Sequence, residues 1–308
     1  MLEYKQDGNS IKSHRGKGMR ISLIIPTLNA EEELGALLAA LRTQTVPPDE
    51  VIVVDSGSED ETRAIAEAAG ALVLPIERKA FDHGGTRHMA LTHSTGDVVI
   101  FMTQDAMPAD ERAVERLIAP LADARVAAVG GRQKPKADAR AYERLVRRHN
   151  YPAESRVWGR EAIETRGVRA FMISDVFAAY RRTAYEAVGG FDHPIMTNED
   201  MLMVQKLLDA GWRIAYAGDA CVMHSHNLTL RQQFRRNYIV GRTMKRYEAR
   251  FSHVQEMGEG VALVKSVMRE LLRHGQLIEM ARFALDCAAR LAGNRYGRWD
   301  ETRQQKRG

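Results

Sequence analysis

At 308 residues, with 44% hydrophobic and 28% charged side chains, the chain has the make-up of an ordinary globular protein, which excludes wholesale disorder or a fibrous role and leaves room for one large α/β domain with appendages or two small domains. Its two cysteines, Cys221 and Cys287, are too few for a disulfide framework and form no CxxC pair, which points to a reducing, cytoplasmic setting. The net charge of +5 permits nucleotide sugars, anionic lipid headgroups or nucleic acid as partners, while the lack of any long apolar run or secretory signal leaves only peripheral membrane contact.

Residues 1–19 read as a flexible polar tail. The run Ile21-Ser-Leu-Ile-Ile25, closed by Pro26, predicts a buried strand. A helix follows, capped by Asn29 with Glu32 at its third position, and Leu34, Leu37, Leu38 and Leu41 form its core-facing stripe. The unit then repeats. Val51 to Val54 is a second strand ending at Asp55, and Ser58 with Glu61 reads as a capping box for a helix that stops before Gly70. Leu72 to Leu74 makes a third strand. Past a polar loop containing Gly84 and Gly85, the pattern predicts a helix over 88–94, a fourth strand over 98–102 and a fifth over 126–129. Strands alternating with helices predict an α/β fold with a Rossmann-like, mostly parallel sheet flanked by helices. The binding crevice of such a sheet lies at the carboxyl ends of its strands, where Asp55 and Asp105 both fall.

The charged stretch 140–171 reads as a connecting segment at the border of that crevice. Beyond Thr229 the chain is mostly helical, and Leu263, Val264, Val267, Leu271 and Leu272 form an apolar stripe among many Lys and Arg residues. That stripe fits a helix packed on the domain, a homodimer contact, or a membrane-surface helix. The divisions expected are thus a 1–19 tail, a 20–228 α/β domain and a 229–308 helical extension.

The candidate chemistry follows from carboxylates and imidazoles at these strand and helix ends. Asp55 opens the Ser56-Gly57-Ser58 turn, where it either accepts a hydrogen bond from a base N–H or serves the turn itself. Asp105, in Thr103-Gln104-Asp105-Ala106, is placed to hold a divalent cation that neutralises a diphosphate. Asn198-Glu199-Asp200 opens an amphipathic helix after a Gly189-Gly190-Phe191-Asp192 turn, so its acids either favour the helix N-terminus or supply a general base. His224 and His226 stand two residues apart and would share a face on a strand. One of them with Asp105 would suit Mn²⁺ or Mg²⁺. Gly84 and Gly85, followed by Arg87, offer either bare backbone for a phosphate with a cation beside it, or a flexible turn.

In order along about 21–241, the motifs Ile-Pro-Thr-Leu-Asn (25–29), Val-Asp-Ser-Gly-Ser (54–58), Phe-Asp-His-Gly-Gly-Thr-Arg (81–87), Thr-Gln-Asp-Ala (103–106), Gly-Gly-Phe-Asp (189–192) and Glu-Asp (199–200) resemble glycosyltransferase family 2, the inverting GT-A enzymes. The 81–87 and 103–106 segments with His-Ser-His-Asn-Leu-Thr-Leu (224–230) are similar to its bacterial rhamnosyltransferase branch. The resemblance implies that Asp55 contacts the donor base, Asp105 and His224 bind the metal, and Asp200 is the catalytic base. It also implies that Pro26, Thr27, Asn29, Glu32, Gly84, Gly85, Arg87, Gln104 and Glu199 contact substrate. The implied donor is dTDP-L-rhamnose, and the implied acceptor is a glycan or lipid-linked glycan of O-antigen or exopolysaccharide assembly at the inner membrane face. Two departures stand out: Thr103 replaces the earlier acid of the family's DxD-type motif, and His88 stands where the branch has Asn. A UDP-hexose donor and a non-catalytic nucleotide-binding scaffold are the alternatives. A nucleic-acid partner is not expected, since the positive charge comes without an aromatic-rich RNA motif or helix-turn-helix signature.

Overall fold

The computed structural model describes residues 18–252, 254 and 259–307, so the expected tail lies outside the described residues up to position 17. The chain runs β1 (Ile21–Thr27), α1 (Glu31–Arg42), β2 (Glu50–Asp55), α2 (Thr62–Ala68), β3 (Leu72–Pro75), α3 (His83–Thr92), β4 (Val98–Met102), β5 (Met107–Pro108), α4 (Ala113–Ile118) and β6 (Val126–Lys134). It continues through α5 (Ala141–Asn150), β7 (Arg156–Trp158), α6 (Ala162–Arg166), β8 (Phe177–Arg181), α7 (Arg182–Ala187), α8 (Glu199–Asp209), β9 (Arg213–Met223), α9 (Leu230–Arg246), α10 (Glu259–Arg273) and α11 (Leu277–Gln305).

The strands make one sheet in the order β3-β2-β1-β4-β8-β6-β9-β5, with β7 also paired to β9. β3, β2, β1 and β4 are parallel neighbours, as alternating strands and helices require. β8 then enters antiparallel between β4 and β6, a position that strand periodicity does not encode. Both faces of the sheet are covered. Leu23, Ile25, Val53, Ile100 and Met102 pack under the α1 leucines, whereas Ile24, Ile52, Val54, Val99 and Phe101 pack under α3, α7 and α8 with Tyr180, Tyr185 and Phe191. Burial on both faces is why these strands read as continuous apolar runs rather than alternating ones.

Several helix starts differ from the expected ones. Ala30, not Asn29, occupies the cap of α1; Asn29 adopts a left-handed φ of 48° and its Oδ1 accepts the Glu59 amide, tying the first crevice loop to the second. Ser58 does not cap α2, which begins at Thr62, because its Oγ accepts the Asn29 amide at 2.9 Å. The third helix starts at His83 rather than 88, since Asp82 caps it through Oδ1 to the Gly85 amide at 2.7 Å. Two glycines in a first turn lower helix propensity, and the cap with close packing overrides that. The 140–171 segment is not plain connection but contains α5, β7 and α6.

In the C-terminal part, Thr229 and Gln232 form a reciprocal capping box on α9. Gly241, Gly293 and Gly297 let α9 and α11 approach so closely that a Cβ on any of them would collide with the other helix's backbone. Val267 and Leu271 of α10 are buried against Tyr142 and Val146 of α5 and Phe283 of α11, so the inner part of the apolar stripe packs on the protein itself. Leu272 remains largely exposed. No described helix is long and apolar enough to cross a membrane.

Candidate active site

The sheet's topological switch point lies between β1, whose chain crosses to β2, and β4. The loops after these two strands diverge there and open a crevice. Gln104 bridges the two strand ends: its Oε1 accepts the Leu28 amide at 2.9 Å and its Nε2 donates to the Leu28 carbonyl. A cavity of about 240 Å³ opens beside it, lined by Pro26, Thr27, Ser56, Phe81, Arg87 and Gln104 among others. Asp55 is fully buried next to Ser56. One carboxylate oxygen is committed to the turn, accepting from the Gly57 and Ser58 amides at 3.2 Å and from Arg63 Nε at 2.6 Å. Burial opposes ionisation, yet Ser58 and Arg63 hold the group below the ordinary carboxylate range. Its Oδ1 is buried without a partner, as is Ser56 Oγ. Asn29 and Glu32 do not face this cavity: Asn29 braces the loops, and Glu32 is exposed on the first turn of α1.

Beyond the cavity, Asp105 meets both histidines that follow β9. Asp105 Oδ2 lies 3.4 Å from His224 Nε2, 3.5 Å from His226 Nε2 and 3.9 Å from Lys136 Nζ. One ligand atom from each of Asp105, His224 and His226 falls within 4.8 Å of the others. The chain after Met223 is no longer a strand, so the histidines converge through a loop pinned by His224 N–H to the Lys134 carbonyl and by Lys136 N–H to Ser225 Oγ. His224 Nδ1 sits 2.9 Å from Gln133 Oε1. With that proton donated to Gln133, Nε2 carries the lone pair toward Asp105. Burial and then the neighbouring His224 push His226 down to about 4, and burial also lowers His224. Both imidazoles are therefore biased toward their neutral forms. Asp105 is held well below its usual range because the two histidines outweigh burial. One carboxylate and two neutral imidazoles form a donor set that fits a divalent cation with open positions for phosphate oxygens or water.

Elsewhere, α3 and α8 bring together a buried charged group. Arg87 Nη1 lies 3.1 Å from Glu199 Oε1, and its Nε is 4.0 Å from Asp175 Oδ2. The Arg87 head also reaches His83 Nδ1 at 2.9 Å and the His83 carbonyl at 3.2 Å. Asp175 accepts the Tyr180 hydroxyl at 2.7 Å. Asp200 Oδ1 accepts the Met201 amide at 2.7 Å. Burial, and then repulsion from Glu199 and Asp175, drive Asp200 well above the carboxylate range. Burial does the same to Asp175 against the pull of Arg87. Arg87 thus pairs with Glu199 and lies near Asp175, while repulsion from these acids and burial raise the proton affinity of Asp200 above that of a surface aspartate.

Local sequence explains how α8 is aimed. Asp82 Oδ1 accepts the Ile195 amide at 3.0 Å as well as capping α3, which locks the 192–195 segment and hence the Asn198-Glu199-Asp200 turn. Asn198 holds a left-handed φ of 63° there. Gly84 and Gly85 serve this packing instead of presenting open backbone: a Cβ on Gly84 would overlap the Asp192 carbonyl, and the Gly85 amide is already bonded to Asp82. His88 bonds Tyr185 at 3.1 Å inside the α3–α7 contact. The structure adds Asp175 and Gln133 to the residues singled out from sequence, and brings both His224 and His226 to Asp105. His226 was the open member of the His224/His226 pair. Asp175 and Gln133 carried only the weak signal of a polar residue at a strand terminus.

Sequence and fold comparisons agree with this geometry. The profile described as Glycosyl transferase family 2 matches residues 22–189. The chain is 38% identical to the O-antigen chain rhamnosyltransferase RfbN of Salmonella typhimurium, over 91% of this chain and 90% of that protein. It is 36% identical to the O-antigen chain rhamnosyltransferase WbaN of Salmonella anatum, over 90% and 89% of the respective chains. In fold it is similar to the mannosyltransferase PcManGT from Pyrobaculum calidifontis in complex with GDP-Man and Mn²⁺, with a TM-score of 0.65, 19% identity, and 93% and 89% of the two chains covered. A glucosyl-3-phosphoglycerate synthase from Mycobacterium tuberculosis, in complex with Mn²⁺, UDP-glucose and glycerol 3-phosphate, superposes with a TM-score of 0.55 at 20% identity, covering 83% of this chain and 89% of that one.

Proposed function

The chain belongs to glycosyl transferase family 2, and on that premise we propose that it transfers L-rhamnose from dTDP-L-rhamnose, with inversion, onto a hydroxyl of an O-antigen-type glycan acceptor. The observation that carries the reading is the Asp105–His224–His226 cluster, whose Asp105 directly follows Thr103 and Gln104 of the crevice wall, with Arg87, paired to Glu199, lining the same cavity. The two Salmonella relatives, both named as O-antigen chain rhamnosyltransferases, support the choice of sugar and acceptor class.

In this reading the nucleoside occupies the cavity beside Thr27, Ser56 and Gln104, where the unpartnered Asp55 Oδ1 accepts a base N–H. Asp105, His224 and His226 would hold a divalent cation, Mn²⁺ or Mg²⁺, which supplies charge neutralisation to the departing nucleoside diphosphate when bound. Asp200 takes the proton from the acceptor hydroxyl as its oxygen forms the bond to the anomeric carbon and the bond to the diphosphate breaks. Its raised proton affinity makes the ionised carboxylate a stronger base than a surface aspartate. Glu199 and Arg87 fix the helix turn that presents Asp200, and Arg87 puts positive charge on the wall of the donor cavity.

We assign residues 20–228 to the transferase domain and 229–308 to a helical extension that rests the enzyme on the inner membrane face through exposed Leu272, Leu277 and Ile278 with nearby arginines. A C-terminal homodimer is the competing use of that surface, and sedimentation with and without anionic vesicles separates the two.

The decisive test is release of nucleoside diphosphate from dTDP-L-rhamnose, UDP-glucose and GDP-mannose with Mn²⁺, in the wild type and in Asp200→Asn. Preference for the thymidine nucleotide, lost in the variant, supports the assignment. Preference for UDP-glucose moves the donor, and nucleotide binding with equal turnover in both proteins sinks the catalytic role of Asp200.

A further inference from the structure

A second cavity, of about 120 Å³, lies between β6, β7 and the 166–174 segment, and three arginines, Arg156, Arg166 and Arg169, converge on it. Gly130, Gly131 and Ser174 are also in its wall. Arg166 stacks over the buried Trp158 ring at 4.5 Å, which orients its guanidinium. Its Nη1 is buried and donates to no described residue. Arg169 Nη2 lies 2.9 Å from His149 Nε2. Among the described residues no carboxylate forms an ion pair with Arg156 or Arg166. Burial, and then repulsion from Arg156 and Arg169, lowers the proton affinity of Arg166, and burial with Arg156 does the same to Arg169. An anion between Arg156 and Arg166 would accept from the buried Arg166 Nη1 and offset the repulsion that Arg156 exerts on Arg166.

Size and position narrow the ligand. At roughly 10–15 Å³ for each water-sized group, the cavity takes on the order of ten such groups, enough for a phosphate or diphosphate and too few for a nucleoside diphosphate. Planar guanidinium forks converging from several sides match tetrahedral phosphate oxygens. The cavity shares Asn150, Tyr151 and Ser174 with the neighbouring space lined by His224 and His226, and Ser174 precedes Asp175 of the buried acidic group. None of its lining residues belongs to the donor cavity beside Thr27 and Gln104. It therefore approaches the reacting centre from another side.

We propose that this pocket holds a phosphate or diphosphate group carried by the acceptor, so that Arg156, Arg166 and Arg169 position the acceptor hydroxyl toward Asp200. The proposal rests on the glycosyl-transfer reading for the word acceptor, while the pocket's anion binding stands independently of it.

The test uses the full chain in the presence of a chelator, so that the Asp105 cluster holds no cation. Inorganic pyrophosphate, glucuronate and phosphatidylglycerol vesicles are each titrated into the wild type, Arg156→Glu and Arg166→Lys. Arg156 is exposed, so its variant keeps the fold; Arg166→Lys keeps charge and removes the fork. Pyrophosphate should bind the wild type and weaken about tenfold or more in each variant, the loss of one charge-assisted contact. In a separate titration without chelator, dTDP with Mn²⁺ should bind all three proteins equally. Pyrophosphate binding that is unchanged in both variants overturns the proposal. So does tighter binding of glucuronate, or vesicle binding that depends on these arginines without pyrophosphate binding. Failure of dTDP to bind the wild type would instead count against the transferase reading and leave the pyrophosphate result to judge the pocket.

Discussion

Replacing Arg87 by methionine removes the guanidinium that pairs with Glu199 and lies 4.0 Å from Asp175, while keeping roughly the length of the side chain. Arg87, Glu199 and Asp175 are each at most 5% exposed, so water cannot replace the lost charge. Removing one partner of a buried pair costs about 3–5 kcal/mol. At about 2 °C per kcal/mol for a chain of this size, the melting temperature should fall by about 6–10 °C at pH 8. The deficit should depend on pH, with a sign fixed by the carboxyls. Losing Arg87, which pulls both down, raises the folded-state proton affinities of Asp175 and Asp200 further above the unfolded values. Below about pH 4 both states are protonated and the difference vanishes; as pH rises from there, the folded variant must hold protons that the unfolded chain releases, and stability is lost. Differential scanning fluorimetry of wild type, Arg87→Met and Arg87→Lys across pH 5–8 measures this. Arg87→Lys should recover part of the loss, because it restores the charge but not the fork shared by Glu199 and His83. An Arg87→Met deficit equal at pH 5 and pH 8, or one below about 1 °C, refutes the account of the acidic group.

Gln133→Ala, which frees the Nδ1 face of His224, should weaken Mn²⁺ binding about 10- to 100-fold by calorimetry, and chelation should abolish transfer until Mn²⁺ is returned. Asp200→Asn should lower kcat by about 10²–10⁴ with donor affinity unchanged, and the wild-type kcat/KM should show an acid limb above the ordinary carboxyl range that this variant lacks. Gly84→Ala distinguishes propensity from packing. Alanine would favour an exposed helix by up to about 1 kcal/mol, but here its Cβ meets the Asp192 carbonyl, so thermal denaturation should show a loss of about 1–3 kcal/mol.

Much of the framework was legible because parallel strands buried on both faces leave an unmistakable mark. Val51 to Val54 and Val98 to Met102 are continuous apolar runs followed by Asp55 and Thr103, and Ile21 to Ile25, apolar but for Ser22, is closed by Pro26. Asp105, His224 and Asp200 could be picked out one by one, since each sits at the terminus of a patterned element. The partners of these residues could not. Asp175 meets Arg87 only because β8 inserts antiparallel beside β4, and β8 is separated from β4 by some seventy residues of chain. Periodicity reports which face of a strand is buried and is silent on which strand lies next to it. The helix caps failed for a related reason: Asn29, Ser58 and Asp82 have the right chemistry for local capping, but only Asp82 caps, because the other two are drawn into bonds between loops. The sequence by itself thus determined the alternation of elements, the crevice at the strand ends and the residue types that line it. Tertiary structure alone decided that His226 joins His224 on Asp105, that Arg87 meets Glu199 and Asp175, and that Gly84 is a packing contact, since each depends on distances between segments far apart in the chain.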